Sequence, residues 1–546
     1  MSVTEEFRAH AERIVDDLLA WDPEEATALG DHRFDDRLPD LSAVAVDDRL
    51  TAVEDHLTVL DAIDDVELDI TDLVDMEILR SRLQRAQYEL REVRRQEWDP
   101  MVWNPGTALH LLLSREFAPA DERAASLRGR LAAVPEHLAA ARGQLGEMSA
   151  IHLDTAIVQL EGTARLIDSQ ARELACDDAV VDAALQSTRG FAEWLDSQRH
   201  SATRSPRLGA DLYAGALWHA LDEHVSADEL LEKAHQHLDY LGEHLAEAAH
   251  EYLDRPRTHD DEAPTVREAL AAVAASAPID DTTVLLEMQR ALDRTTAFVR
   301  ETDLVTVPQL DIRIVTMPEI HRGVAVAYCD APGPLESADV ATFVAVAPAP
   351  SEWDAERVAS FYREYNGIQL HGLAVHEAMP GHVLQLAHAQ RLASPTRVRR
   401  FGHSGVFVEG WAVYSEDLMV QRGYAPDDTA RSAVALRLQQ LKMQLRVTIN
   451  AILDIGVHAH GLSEDEAMWL MREAGYQEEG EAVGKWRRAL LTSAQLPTYF
   501  AGYLAVSDIV DDLRVLHSDW SDRQLHDLVL GHGSPSPRHL RTLLGI

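Results

Sequence analysis

The stretch His376-Glu377-Ala378-Met379-Pro380-Gly381-His382 decides how this chain is read. Two histidines four apart on a helix lie about 40° apart and converge on one point. These two are six apart. On a regular helix that spacing puts His382 roughly 120° round and about 9 Å along from His376, too far for both to hold one ion. Pro380 removes the amide that would bond the carbonyl of His376 and pushes against that carbonyl. Gly381 tolerates the backbone angles that follow. One reading is that Pro380-Gly381 acts as an insertion that swings His382 back towards His376. The other is a helix that ends at Pro380, leaving two unrelated histidines and a surface glutamate.

The residue types suit one chemistry. A zinc hydrolase needs neutral imidazoles and usually a carboxylate as ligands, an open position for water, and a second carboxylate to accept that water's proton. His376-Glu377 offers a ligand and the proton acceptor side by side. Glu409, in Val408-Glu409-Gly410-Trp411-Ala412-Val413-Tyr414-Ser415-Glu416, lies 33 residues after His376. That leaves room for the rest of one helix, a loop and a return, so Glu409 is the candidate third ligand. Gly410 could let the two ligand-bearing helices pack closely. Glu416, two turns on, could orient an imidazole from behind, or be a solvated acid.

Outside this stretch the chain divides by character. To about residue 300 it shows long helical periods between short Pro, Gly and Asp breaks. Ser226 with Glu229 predicts a capping box, followed by Leu231, Ala234, Leu238, Leu241, Leu245 and Ala248 on one stripe. His235, His237 and His244 on that helix have no convergent spacing and receive no chemistry. Between about 304 and 348 the runs Leu304–Val307, Ile312–Val315, Val324–Tyr328 and Thr342–Val346 read as strands of a small sheet, with Asp330–Pro334 as a turn. Helical periodicity then resumes, with Ser463 and Glu466 as another capping box and Leu438, Leu441 and Leu445 on one face. The expectation is two regions: an N-terminal helical lobe over 1–300, and a sheet plus a helical zinc-binding catalytic lobe over 301–546.

Composition excludes several partners. Across 546 residues, 92 acidic groups face 50 basic ones, a net charge of -42. Only Lys233, Lys442 and Lys485 are lysines. Nucleic acid and anionic membrane are poor partners for such a field. Acid spread along the whole chain reads instead as a solvated surface suited to high salt, where screening over a few ångströms (about 3 Å at 1 M) removes self-repulsion. A halophilic host is expected. Cys176 and Cys329 are the only cysteines, which argues against a disulfide framework or a thiolate cage. The start, Met1-Ser2-Val3-Thr4-Glu5-Glu6, lacks a signal peptide's basic-then-apolar plan, so the expected location is cytoplasmic.

These blocks together resemble the domain-of-unknown-function family 885, which is similar to zinc metallopeptidases. The likeness begins at Trp21-Asp22-Pro23-Glu24-Glu25-Ala26-Thr27-Ala28-Leu29-Gly30 and Leu38-Pro39-Asp40. It includes His376–His382 with Gln385, then Glu409-Gly410-Trp411-Ala412, Asp454-Ile455-Gly456-Val457-His458 and the Tyr499 region. At Met379 and Val383 the chain departs from the family pattern, which often has an aromatic residue and a further histidine. The resemblance implies Zn2+ at His376, His382 and Glu409, with Glu377 as general base. It also implies a mainly α, two-lobed metallopeptidase-like fold with a deep cleft, similar to carboxypeptidase Taq and the angiotensin-converting-enzyme group.

The expected function is hydrolysis of short peptides. Tyr499, which corresponds to a family tyrosine, is the candidate oxyanion donor, and Tyr503 a second one. His458, one turn after Asp454, is a candidate donor to a substrate carbonyl or carboxylate, or else a helix-stabilising pair with it. The sheet could bind an extended peptide by adding a strand. Two alternatives remain open: a zinc amidase acting on a non-peptide amide, and a non-catalytic helical binding protein with a structural metal. Substrate identity, endo- or exo-cleavage and oligomeric state are open.

Overall fold

Ser226 accepts from the Glu229 N–H while Glu229 reaches back to the Ser226 N–H, and this reciprocal cap opens helix α1, Ala227–Tyr252. Leu241, Leu245, Ala248 and Ala249 form its buried stripe, with Leu230 in place of Leu231 at the start. The computed structural model describes residues 2–257, 262–317, 326–338, 340–350 and 353–546. Helices make up most of it, and the described strands are β1 (Ile312–Thr316), β2 (Ala327–Asp330) and β3 (Thr342–Val346). No described helix is long and apolar enough to cross a membrane.

The sheet order is β1-β3-β2, with β1 parallel and β2 antiparallel to β3. Val344, Ala345 and Val346 make β3 its buried centre. Of the four expected strands, Leu304–Val307 is not one. Its β-branched and apolar residues serve the helical core instead: Leu304 and Val305 are buried there, the Leu304 carbonyl accepts from His526 Nδ1, and the Thr306 N–H is held by Asp527. Val324 and Ala325 of the third run lie outside the described residues.

The chain forms two compact units, Met1–Arg207 with Pro332–Val340 and Ala393–Gly402, and Leu208–Ala331 with Ala341–Leu392 and His403–Ile546. The expected boundary near 300 is therefore corrected to 207/208. The reason is packing: α1 lies along α5 (Ala430–Ile455), whose cap Thr429 accepts from the Ser432 N–H, so the helices after 208 share the core of the later ones. In the first unit, helices Ala120–Gln144, Ala150–Leu166 and Asp178–Ser197 close on Leu127, Leu131, Leu153, Leu160 and Phe191. The 332–340 segment joins that unit by close contact. A Cβ at Gly333 would lie 2.2 Å from the Leu29 carbonyl carbon, and the Leu335 N–H bonds the Leu29 carbonyl at 2.8 Å.

In the second unit, α2 (Gly367–Glu377), α3 (His382–Ala389), α4 (Gly405–Gln421), α5, α6 (Glu479–Leu491) and α7 (Pro497–Leu516) place the side chains that matter. α4 and α7 cross glycine on glycine. A Cβ on Gly410 would meet the Gly502 carbonyl carbon at 2.4 Å, and one on Gly502 would meet the Val406 oxygen at 2.1 Å. The glycine expected to bring two ligand helices together instead brings Glu409 against α7.

Candidate metal centre

The break in the quoted stretch begins before Pro380, at Ala378, whose backbone leaves the helix. α2 ends at Glu377 and α3 begins at His382, with a cis Met379-Pro380 bond between them. The Met379 N–H turns back to the Ala374 carbonyl and the Gly381 N–H to the Val375 carbonyl, each at 2.9 Å. A Cβ at Gly381 would lie 1.9 Å from the His376 oxygen, so only glycine fits. Buried Trp411, from α4, donates its indole N–H to the Pro380 carbonyl at 2.8 Å. The helix does end here, yet the histidines meet.

His376 Nε2 and His382 Nε2 each stand 3.5 Å from the same Glu409 Oε2. Their rings are 4.7 Å apart between centroids and nearly perpendicular, at 84°. Among the described residues this trio is the one group of three His, Cys, Asp or Glu side chains close enough to share an ion. Donor atoms bound to one tetrahedral zinc at about 2.0–2.2 Å lie about 3.4 Å from each other, so the spacing fits. The polar accounting fits as well. Glu409 Oε2, the oxygen that both imidazoles face, is buried without a hydrogen-bond partner among the described residues, which is costly unless a further group completes the site.

Behind the trio, His376 Nδ1 donates to Glu416 Oε1 at 2.6 Å, leaving the Nε2 lone pair directed at the centre. Burial pulls the His376 pKa down, but Glu409 and Glu416 outweigh it and raise it well above the ordinary value. Burial likewise opposes ionisation of Glu409, and the two imidazoles reverse this, holding its carboxyl well below the usual carboxylate range. The pocket is built for positive charge between these atoms.

Glu377 is buried and accepts the Cys329 N–H at Oε2, 3.0 Å. The Ala347 N–H bonds the Val326 carbonyl, so alternate positions of β2 pair with β3 and Cys329 faces the other way, towards α2. Tyr499 sits one turn before Gly502, so the glycine crossing brings it near Glu409. Burial and the Glu409 charge raise its pKa, against the lowering influence of Arg488 and Gln495. Tyr503 turns away, its hydroxyl donating to Asp417 Oδ2 at 3.2 Å.

His458 departs from expectation. Its Nε2 donates to the carbonyls of Ala489 (2.9 Å) and Thr492 (2.8 Å), and its Nδ1 accepts the Leu208 N–H at 3.2 Å. Both nitrogens are committed to backbone, and no proton or lone pair is left for a substrate. Asp454 does not hydrogen-bond it; its Oδ1 accepts the Ala494 N–H at 2.8 Å. Sequence reasoning missed three groups: the Cys329 N–H, the Trp411 clamp and Arg488. Of these only Trp411 carried a signal, as part of the Glu-Gly-Trp-Ala block.

Fold and site define a helical protein with a small mixed sheet and a His-His-Glu cluster of metal-binding type. The chain belongs to the family described as a bacterial protein of unknown function, DUF885, which matches residues 23–544. Two solved structures share the fold. One, from Shewanella oneidensis, carries the provisional name of a lipoprotein of unknown function; it is 25% identical, covers 99% of this chain and 100% of its own, and has a TM-score of 0.81. The other, a provisionally named lipoprotein from Colwellia psychrerythraea, is 16% identical over 100% of this chain and 99% of its own, also at 0.81. No curated protein matches the chain.

Proposed function

We propose that the chain is a zinc-dependent hydrolase of short peptides. The observation that carries this reading is the convergence of His376, His382 and Glu409 with Glu377 buried on the adjacent residue of the same helix turn. His376, His382 and Glu409 would hold Zn2+. When bound there, zinc supplies a Lewis acid that polarises the scissile carbonyl and makes water acidic enough to attack near neutral pH. Glu377 accepts the proton of the attacking water as the new carbon–oxygen bond forms. The carbon–nitrogen bond then breaks, and Glu377 returns the proton to the leaving amine. The Cys329 N–H keeps Oε2 of Glu377 fixed, so Oε1 is the atom that carries the proton. Tyr499, kept protonated by its raised pKa, donates its hydroxyl hydrogen bond to the developing oxyanion.

A structural metal needs a fourth protein ligand. Among the described residues no fourth His, Cys, Asp or Glu joins the trio, which favours the catalytic reading. The metallopeptidase-like character of the fold, with its cleft, belongs to this same proposal and rests on the family resemblance. The cytoplasmic location, the high-salt host and the absence of nucleic-acid and membrane partners are proposals too, the host and the partners resting on the acidic, lysine-poor composition. Two structural neighbours carry lipoprotein names, so cell fractionation that finds the chain in the envelope would overturn the cytoplasmic placement.

The test is metal analysis paired with cleavage of a peptide library in high salt. The wild type should hold stoichiometric zinc and cleave. Glu377→Gln should keep the zinc and lose about 10²–10⁴-fold in rate, the usual worth of a general base. A zinc-loaded wild type that cleaves nothing beyond what Glu377→Gln cleaves sinks the peptidase reading.

A further inference from the structure

The centre is ringed by acid. His376 feels Glu409, Glu416 and Glu377 together, in a chain whose net charge is -42. A short peptide carries an ammonium, which such surroundings attract, and a carboxylate, which they repel unless a cation stands within reach. One does. Arg488, on α6, donates from Nη2 to Gln495 Oε1 at 2.8 Å and lies beside the Tyr499 hydroxyl. It is half-buried, and among the described residues no carboxylate pairs with it. The crossing of Gly410 and Gly502 brings Tyr499 near Glu409, and the Tyr499 hydroxyl feels both Glu409 and Arg488.

The loop that carries this group is locked from behind. His458 Nε2 holds the carbonyls of Ala489 and Thr492, and Asp454 accepts the N–H groups of Ala494 and Leu496. The Tyr213 ring stacks on His458 at 5.5 Å and 8°. Four backbone groups of residues 489–496, at Ala489, Thr492, Ala494 and Leu496, are therefore tied to buried side chains, immediately between Arg488 and Tyr499. A guanidinium set on a rigid segment is pre-organised for a planar two-oxygen anion, because less freedom is lost when it binds.

We propose that Arg488, oriented by Gln495 beside Tyr499, receives the free α-carboxylate of a short peptide, so that the enzyme cuts close to the C-terminus of its substrate. Asp454 and His458 are positioning residues for this group. The inference rests on the hydrolase reading and adds the class of substrate: unblocked short peptides are cut in preference to amidated ones.

The experiment uses zinc-loaded full-length protein and pairs of tripeptides that differ only in a free or amidated C-terminus. Wild type should favour the free acid about 10- to 100-fold in kcat/KM, the worth of one charge-assisted hydrogen-bonded pair. Arg488→Gln should erase that preference by raising KM for the acid well beyond any change seen with the amide, and Arg488→Lys should restore part of it. Gln495→Ala, which keeps the charge but frees its orientation, should give a smaller rise in KM for the acid alone. Independently of turnover, calorimetry should show N-acetyl-alanyl-alanine binding wild type at least ~10-fold more tightly than Arg488→Gln, with its amide equal in both. Equal cleavage and equal binding of acid and amide by wild type overturn the proposal. So does an Arg488→Gln loss that is the same for both peptides, or unchanged acid binding in a folded Arg488→Gln. A wild type that cleaves neither peptide refutes the hydrolase reading instead, and the calorimetric comparison then still decides whether Arg488 binds a carboxylate.

Discussion

Two blocks of this chain pair a carboxylate with an imidazole in adjacent helical segments, and they come to opposite ends. Around His376–His382 the backbone satisfies itself through the Met379 and Gly381 turn, and the side chains are left facing one another with buried atoms unpaired. Around Asp454–His458 the side chains satisfy the backbone of 489–496, and neither ring nitrogen remains available. The same residue types therefore gather into a candidate metal centre in one place and brace the backbone in the other. What separates them is which polar groups are left over once the fold is complete.

Exchanging the two roles by mutation gives the largest expected difference. His376→Ala should abolish stoichiometric zinc binding while the apo protein stays folded, since the trio is stabilising chiefly towards a cation. His458→Ala should do the reverse, keeping zinc but losing about 2–4 kcal/mol in denaturant unfolding. The loss reflects the buried Ala489 carbonyl and the part-buried Thr492 carbonyl and Leu208 N–H left without their partner, at about 1–3 kcal/mol for a fully buried group and less for the others. Elemental analysis and urea titration of both variants check this. Zinc lost with His458, or retained without His376, would break the distinction.

A smaller effect is expected at the α4–α7 crossing. Gly410→Ala puts a Cβ 2.4 Å from the Gly502 backbone, which no side-chain rotation relieves. Overpacking of that kind costs about 1–3 kcal/mol, and here it also moves Glu409 away from the two imidazoles. Stability and zinc affinity should fall together in this variant, whereas in His458→Ala only stability falls. A Gly410→Ala protein with wild-type zinc affinity would show that the crossing does not set the position of Glu409.

How much of this could be read beforehand follows from where each constraint lives. The helix break was legible because Pro380 and Gly381 act on the backbone locally, whatever the rest of the molecule does. Glu409 was legible from spacing, and Glu416 from two helical turns beyond it. The capping boxes at Ser226 and Ser463 were legible for the same local reason. Leu304–Val307 misled because burial in a helical core satisfies β-branched residues as well as a sheet does. The unit boundary misled because it depends on which helix face meets which, and α1 turned to α5. His458 misled because its partners, the carbonyls at 489 and 492, are more than thirty residues away and carry no residue type to recognise. Arg488 had no signal at all, since its meaning comes from Gln495 and Tyr499 beside it.

A third histidine lies between the two extremes and gives the finest test. His371, on α2 above His376, engages the Tyr424 hydroxyl through Nδ1 at 2.6 Å. Burial, aided by Arg294, lowers its pKa to about 4. The folded state thus keeps the ring neutral, while the unfolded chain takes up a proton near pH 6.5. Between about pH 6.5 and pH 4 the unfolded state binds more protons, so the contribution of His371 is complete above pH 6.5 and is lost as pH falls towards 4. Full linkage over that interval approaches about 3 kcal/mol, and partial exposure of the ring reduces it to roughly 1–2 kcal/mol. His371→Gln removes the titration, so the stability gap between wild type and variant should narrow on acidification from pH 7 to pH 4.5, measured on zinc-free protein by urea midpoints. A gap that stays constant would mean the ring is as easily protonated as in water. His371 would then belong with neither the sealed imidazole of His458 nor the directed ones of the metal centre, and burial alone would not mark a histidine that the fold has committed.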